Sequence, residues 1–263
     1  MRRNVSVRLQ LGVSEPALLA LQIAVATPDR HERLSVSIDG APVPAREVAA
    51  PHDGRMHVIQ ASPGDLLVDY EAEVSGHMGW PSADEHDQLL YRRPSRYCPS
   101  DRFLATAAAE FGGIGDTASF VGAVTDWVHH RLIYIGGSSG PSDDAVDTML
   151  LGEGVCRDYA HVVVSLLRAR DVPARLAAVY APGLDPMDFH AVAEAWVDGG
   201  WRVVDATRLA PRTSMLRIAT GRDAADTAFL SVHYGKADLR SVSVVAVADQ
   251  LPYDEPGQTV VLT

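Results

Sequence analysis

Two cysteines in 263 residues, Cys98 and Cys156, are too few for a disulfide framework, and this points to a reducing, cytoplasmic setting. Basic residues are short as well: 23 Lys and Arg stand against 34 Asp and Glu, a net charge of -11. That deficit removes nucleic acid and anionic membrane as default partners, because both are held by clustered positive charge. No stretch approaches the roughly 20 apolar residues of a membrane-spanning helix. The N-terminus alternates polar and apolar residues where a secretion signal needs a continuous apolar run. Metal-ligand spacing is missing. His129 and His130 are adjacent on a predicted helix and cannot share a face, and no acidic loop of the EF-hand type occurs. No metal or other cofactor is expected. Nothing in the sequence speaks to oligomeric state.

With 47% hydrophobic residues the chain can bury a core in one large domain or two smaller ones. Residues 1–80 read as strands. Val5, Val7, Leu9 and Leu11 alternate with polar residues, and β-type runs follow at 18–27, 33–39, 56–61 and 66–74. They predict a small, all-β, sandwich-like N-terminal domain. His52, His57 and His77 read as surface or turn residues. The polar stretch 79–88 marks a junction to a second domain, 81–263. There the period changes. Helices are predicted over 100–111, with Ser100 as N-cap, and over 116–135, followed by a loop at 136–144. An apolar helix over 156–170 ends at Asp171-Val172-Pro173. Strands follow at 174–181, 189–197, 201–207 and 241–247. The class is α+β.

Cys156 stands behind Gly152 and Gly154 at the mouth of the apolar helix. The glycines let the backbone turn sharply, and the first-turn N–H groups then have no intrahelical partner. Those amides and the positive helix end stabilise a thiolate, and the Cys156 amide can hold an oxyanion. Tyr134 and Ser138, upstream, are candidates for a second oxyanion donor. Cys98, next to Pro99 and away from any helix start, reads as inert. A base is available in the strand 189–197. Ala191, Ala193, Ala195 and Val197 form its core face, which leaves His190 on the other. If Asp198-Gly199 is a two-residue type I′ turn, Trp196 pairs with Trp201 and Glu194 with Val203, and Asp205 falls on the diagonal of His190. A turn at Gly199-Gly200 would set Asp205 opposite Glu194, too far away. A three-residue turn would put it on the wrong face. In the first register the three residues form a thiol triad: Cys156 nucleophile, His190 base, Asp205 orienting the imidazole. The order Cys–His–Asp is papain-like.

The segments GEGVCRDYAHVVVSLLRARDVPARLAAVY and DFHAVAEAWVDGGWRVVDAT resemble the transglutaminase-like core, more closely that of the bacterial transglutaminase-like cysteine proteases. RRPSRYCPSD and TGRDAADTAFL are similar to further segments of that group. The resemblance implies a papain/transglutaminase-like cysteine proteinase core preceded by a β-rich N-terminal region, with Cys156, His190 and Asp205 catalytic. One departure is His190-Ala191-Val192, where such cores often carry an aromatic soon after the histidine. The expected activity is thiol-dependent acyl-enzyme chemistry on a peptide or protein amide, as peptidase, amidase or transamidase, with hydrolysis favoured because no amine site is evident. The alternative is a catalytically silent scaffold of the same fold. Asp158 reads first as a helix-start anion and Arg222 as a loop ion-pair residue, each with substrate binding as the other reading. His161 reads as a paired core histidine.

Overall fold

The structure, a computed structural model, describes residues 1–76, 84–255 and 257–262. His77 and the start of the expected junction lie outside them. The first strand, β1 (Arg2–Leu21), runs for 20 residues and merges two runs that read as separate. Ser14, Glu15 and Pro16 are exposed where they join, and register shifts on both sides of Glu15 allow the strand to bend there. Five strands follow: β2 (Arg30–Ile38), β3 (Ala41–Pro42), β4 (Ala45–Ala49), β5 (Arg55–Ala61) and β6 (Gly64–Ser75). One edge of β1 pairs with β6 over Arg2–Val13 and with β5 over Ala17–Leu21. The sandwich-like region is therefore one hydrogen-bonded sheet turned about β1. His57 is buried, against the surface reading. In β5 it shares the inward parity of Arg55, Ile59 and Ala61.

Beyond residue 83 come α1 (Glu85–Leu90), α2 (Leu104–Phe111), α3 (Thr117–Arg131), β7 (Ile133–Tyr134), α4 (Ala145–Leu151), β8 (Glu153–Gly154) and α5 (Cys156–Arg168). Strands β9 (Ala174–Tyr180), β10 (Phe189–Val197), β11 (Gly200–Val204) and β12 (Leu216–Gly221) follow, then α6 (Ala224–Thr227) and β13 (Leu230–Ala248). Ser100 opens a short 3-10 turn instead of capping α2. The predicted helix over 116–135 stops at Arg131. Asp116 caps its start by accepting the Ser119 amide at 2.8 Å, and the β-branched Ile133-Tyr134-Ile135 stretch continues extended. Helix α4 falls just after the expected loop, and Asp144 and Asp147 close its capping box.

Helix α5 lies on a four-stranded sheet of order β11-β10-β9-β12. Val162, Val163, Val164, Leu166 and Leu167 pack with Ala193, Ala195 and Val197, the face of β10 read as core-facing. Leu166 is wholly buried there. Leu166→Ala is expected to cost about 2–5 kcal/mol in chemical denaturation; a loss well under 1 kcal/mol would mean that the helix is not the rigid spine of this half. The long strand β13 returns to the N-terminal sheet, pairing with the other edge of β1 from Arg3 to Leu21. A boundary near residue 80 thus cuts through a seven-stranded sheet. The two halves also share a core. Tyr180, Leu216 and Ile218 of the second sheet join the cluster of β1 and β6, and the Tyr180 hydroxyl donates to the Ile23 carbonyl.

Candidate active site

The approach to Cys156 is built by close backbone contacts. Helix α4 ends at Gly152, whose φ of 74° belongs to the left-handed region. β8 then pairs in parallel with β7. At Gly154 a Cβ would stand 2.7 Å from the Asp158 Cβ, so the second glycine serves close approach. Asp158 is fully buried and accepts the Val155 amide at 2.8 Å, the Ser139 hydroxyl at 2.5 Å and the Arg157 guanidinium at 3.0 Å. Its partners are those of a helix-start anion. Arg157 also reaches Ser139 and the Gly140 carbonyl, so the loop before α4 is tied to the helix mouth. Cys156, first residue of α5, is partly exposed; Cys98 is buried, and that burial pushes its thiol up to about 12.

The hairpin β10–β11 has the register of the Asp198-Gly199 turn. Val197 pairs with Gly200, Trp196 with Trp201 and Glu194 with Val203, and both turn residues have positive φ, 49° and 77°. Asp205 follows directly on β11, and its Oδ2 lies 3.1 Å from His190 Nε2. Both side chains are buried. Asp205 Oδ1 accepts the Thr207 amide at 2.9 Å and its hydroxyl at 2.7 Å. Sequence reasoning passed over Thr207; the Asp-x-Thr spacing of an Asx-type turn was the available signal. With Nε2 committed to Asp205, His190 Nδ1 makes no hydrogen bond among the described residues, and Cys156 lies near enough for its charge to act on the imidazole. Burial alone would lower the imidazole pKa. The charges of Asp205 and Cys156 and the hydrogen bond to Asp205 outweigh burial and push it up to about 10. Burial likewise works to raise the Asp205 pKa, but His190 and Thr207 hold it below the ordinary carboxylate value.

Tyr134 is brought to the same point. The parallel β7–β8 pair sets it beside Gly154, near enough to Cys156 for the two groups to feel each other's charge. Burial first, then the charge of Cys156, pushes the Tyr134 hydroxyl up to about 12, with Asp188 adding to the same effect. Ser138 turns elsewhere and donates to the Ile135 carbonyl at 2.9 Å. Arg222 pairs with Asp226 at 2.9 Å on an exposed surface. His161 is fully buried and stacks on Tyr97 with 4° between the rings, and its Nε2 accepts the Ala224 amide. Burial drives it down to about 4, so it stays neutral. A cavity of about 290 Å³ reaches Asp205, lined among others by Thr125, Arg208, Leu209 and Tyr253. Among the described residues one trio, Asp84, His86 and Asp87, has metal-ligand proximity. Its buried member Asp87 is occupied by Arg175 at 3.2 Å. The arrangement as a whole brings a partly open sulfur, an imidazole paired with a buried carboxylate, and the side chain of Tyr134 into one neighbourhood.

The sequence model of the Transglutaminase-like superfamily matches residues 105–206, a span that contains Cys156, His190 and Asp205. The crystal structure of "a Putative Cysteine Protease" from Cytophaga hutchinsonii is similar over 96% of this chain and 92% of its own, with 32% identity and a TM-score of 0.87. An uncharacterized protein of Mycobacterium leprae is 26% identical over 176 residues, and that match takes in 64% of this chain and 62% of the Mycobacterium protein.

Proposed function

Since the chain belongs to the transglutaminase-like superfamily, we propose that it is a cysteine acyl-enzyme acting on a peptide or protein amide, with Cys156 as nucleophile, His190 as acid and base, and Asp205 as the group that orients the imidazole. The carrying observation is the chain of contacts from Asp205 Oδ2 through His190 Nε2, at 3.1 Å, to an Nδ1 left for the Cys156 thiol. In the attacking state the thiol proton resides on His190 Nδ1, which keeps the imidazole charged, and the sulfur attacks the amide carbon. The amide oxygen becomes an oxyanion held by the Cys156 N–H and the Tyr134 hydroxyl. As the C–N bond breaks, the Nδ1 proton passes to the leaving amine and a thioester remains. Nδ1 then deprotonates a water, which attacks the thioester carbon, and the proton returns to the thiolate as the acid leaves. Asp205 holds Nε2–H throughout and steadies each imidazolium. Ile133, Ile135, Met187 and Leu209 are large, exposed and within four residues of Tyr134, His190 or Asp205, and they favour substrates with bulky apolar side chains beside the amide. Among the described residues no helix is long and apolar enough to cross a membrane. The cytoplasm is the proposed compartment, on the strength of two cysteines that both remain free.

The test is incubation with a glutamine-containing peptide, with and without an added amine, followed by mass analysis. Hydrolysis is the expected outcome in both. An amine adduct alone would reassign the enzyme to transfer, and no covalent chemistry at all would favour a scaffold. Tyr134→Phe is expected to lower kcat about 10²–10³-fold with little change in KM, because the hydroxyl acts on charge that develops only in the transition state. The pH profile is expected to hold through neutrality and to fall as pH rises through about 10, where His190 loses its proton. In Asp205→Ala that limb moves down toward the ordinary histidine value of 6.5. The same shift bears on stability. A histidine pKa raised on folding contributes stability that is complete below about 6.5 and is lost as pH rises through about 10.

A further inference from the structure

Strand β13 is guarded along one half and bare along the other. Among the described residues it pairs with β1 alone, so its far edge meets no strand. Such edges are normally blunted by Lys, bulges or broken geometry, because unpaired N–H and C=O groups accept any extended chain. The stretch from His233 to Arg240 has all three. It carries Lys236. Gly235 has a φ of 77°, with the Pro16 carbonyl 2.1 Å from where a Cβ would lie. His233 and Arg240 are each an extra residue against β1. From Ser241 to Ala248 none of these devices appears. That run, SVSVVAVA, holds no charge, Gly or Pro and pairs in unbroken register with Gln10 back to Arg3. At about 3.3 Å per residue it extends about 26 Å. Val244 and Ala246 face the core, while Val245 and Val247 on the opposite parity are each 40% exposed.

We infer that this bare edge is closed by a second copy of the chain, β13 pairing antiparallel with β13 across a two-fold axis within Ser241–Ala248. The charges that frame the run select a like strand. Arg240 stands at one end and Asp249 at the other. In the antiparallel two-fold arrangement each Arg240 approaches Asp249 of the other copy, at both ends, with Val and Ser pairs between them. A parallel arrangement would set Arg240 against Arg240 and Asp249 against Asp249. A foreign strand would need the inverse charges at the same spacing. Within its own chain Arg240 reaches back over Gly12 of β1 to Asp65 at 2.6 Å in an exposed pair, which contributes little, so the guanidinium leaves it for the edge on association. The closed interface would make one continuous sheet through both copies and leave Cys156 untouched.

Sedimentation velocity of the full chain, from micromolar to submillimolar concentration, is expected to give a mass that rises to twice that of the chain. Val245→Lys, which replaces an outward side chain, is expected to return the single-chain mass with unchanged circular dichroism. Arg240→Asp is expected to raise the dimer Kd about tenfold, and Arg240→Asp/Asp249→Arg to restore it at low ionic strength. A single-chain mass for the unaltered protein at every concentration overturns the inference. So does a dimer that Val245→Lys leaves intact.

Discussion

Cys156→Ala is expected to reduce amide turnover by about 10⁴-fold or more while leaving the fold in place. The size follows from the proposed chemistry. The thioester is the step that divides amide cleavage into two easier reactions, and without sulfur there is no thioester. The harmlessness to the fold follows from the position. Cys156 is the partly exposed first residue of α5, and its side chain belongs to none of the buried clusters. Cys156→Ser is expected to fall nearly as far, since a hydroxyl is a far weaker nucleophile than a thiolate beside the same imidazole. Iodoacetamide near neutral pH supplies the companion measurement. Labelling is expected at Cys156 alone, because Cys98 is buried with its thiol raised to about 12. Undiminished turnover in Cys156→Ala, measured as peptide hydrolysis, would remove this residue from the mechanism.

Glu194→Ala is expected to be the most damaging single change to stability, costing about 3–5 kcal/mol. Glu194 has no exposed surface. Its Oε2 lies 2.8 Å from Arg175 Nε and 2.8 Å from Arg217 Nη1, and its Oε1 lies 2.7 Å from Arg217 Nη2. Removing the carboxylate leaves two buried guanidiniums facing each other, Arg217 without a counter-charge and Arg175 with Asp87 alone. The damage spreads, since Arg175 also meets Asp87 and stacks 3.9 Å over the ring of Trp201. At about 2–4 °C per kcal/mol for a chain somewhat smaller than this one, Tm should drop by about 6–20 °C. Burial by itself would raise the Glu194 pKa, but Arg175 and Arg217 bring it down to about 2. A carboxylate pKa depressed on folding contributes stability that is complete above the ordinary value of 4.5 and is lost as pH falls through about 2. The unaltered protein should therefore lose Tm steeply across that acid range, and Glu194→Gln should lose less of it. A shift below about 2 °C in Glu194→Ala would mean that desolvation cancels the gain from the ion pairs.

The readings that held are those whose physics is local. The Asp198-Gly199 turn specified its hairpin because positive φ at two consecutive positions selects the pairing on either side. That register alone put Asp205 within reach of His190. Gly152, Gly154 and the apolar run after Cys156 specified a buried helix with the sulfur at its head, by turn chemistry and periodicity. Tyr134 was reachable as a candidate from its place upstream of Cys156, although the short β7 that presents it reads as the end of a helix. Period alone could not separate the last turn of α3 from two extended residues.

The chain by itself determined the buried helix behind Cys156 and the register of the β10–β11 hairpin, because each depends on neighbours a few positions apart. Tertiary structure alone decided that β13 completes the first sheet beside β1 and that His57 and Glu194 are buried. These depend on contacts between segments as far apart in sequence as Arg3 and Ala248, or on side-chain directions after packing. A strand's pattern shows that it has a face to bury and an edge to pair, and only the assembled molecule shows against what.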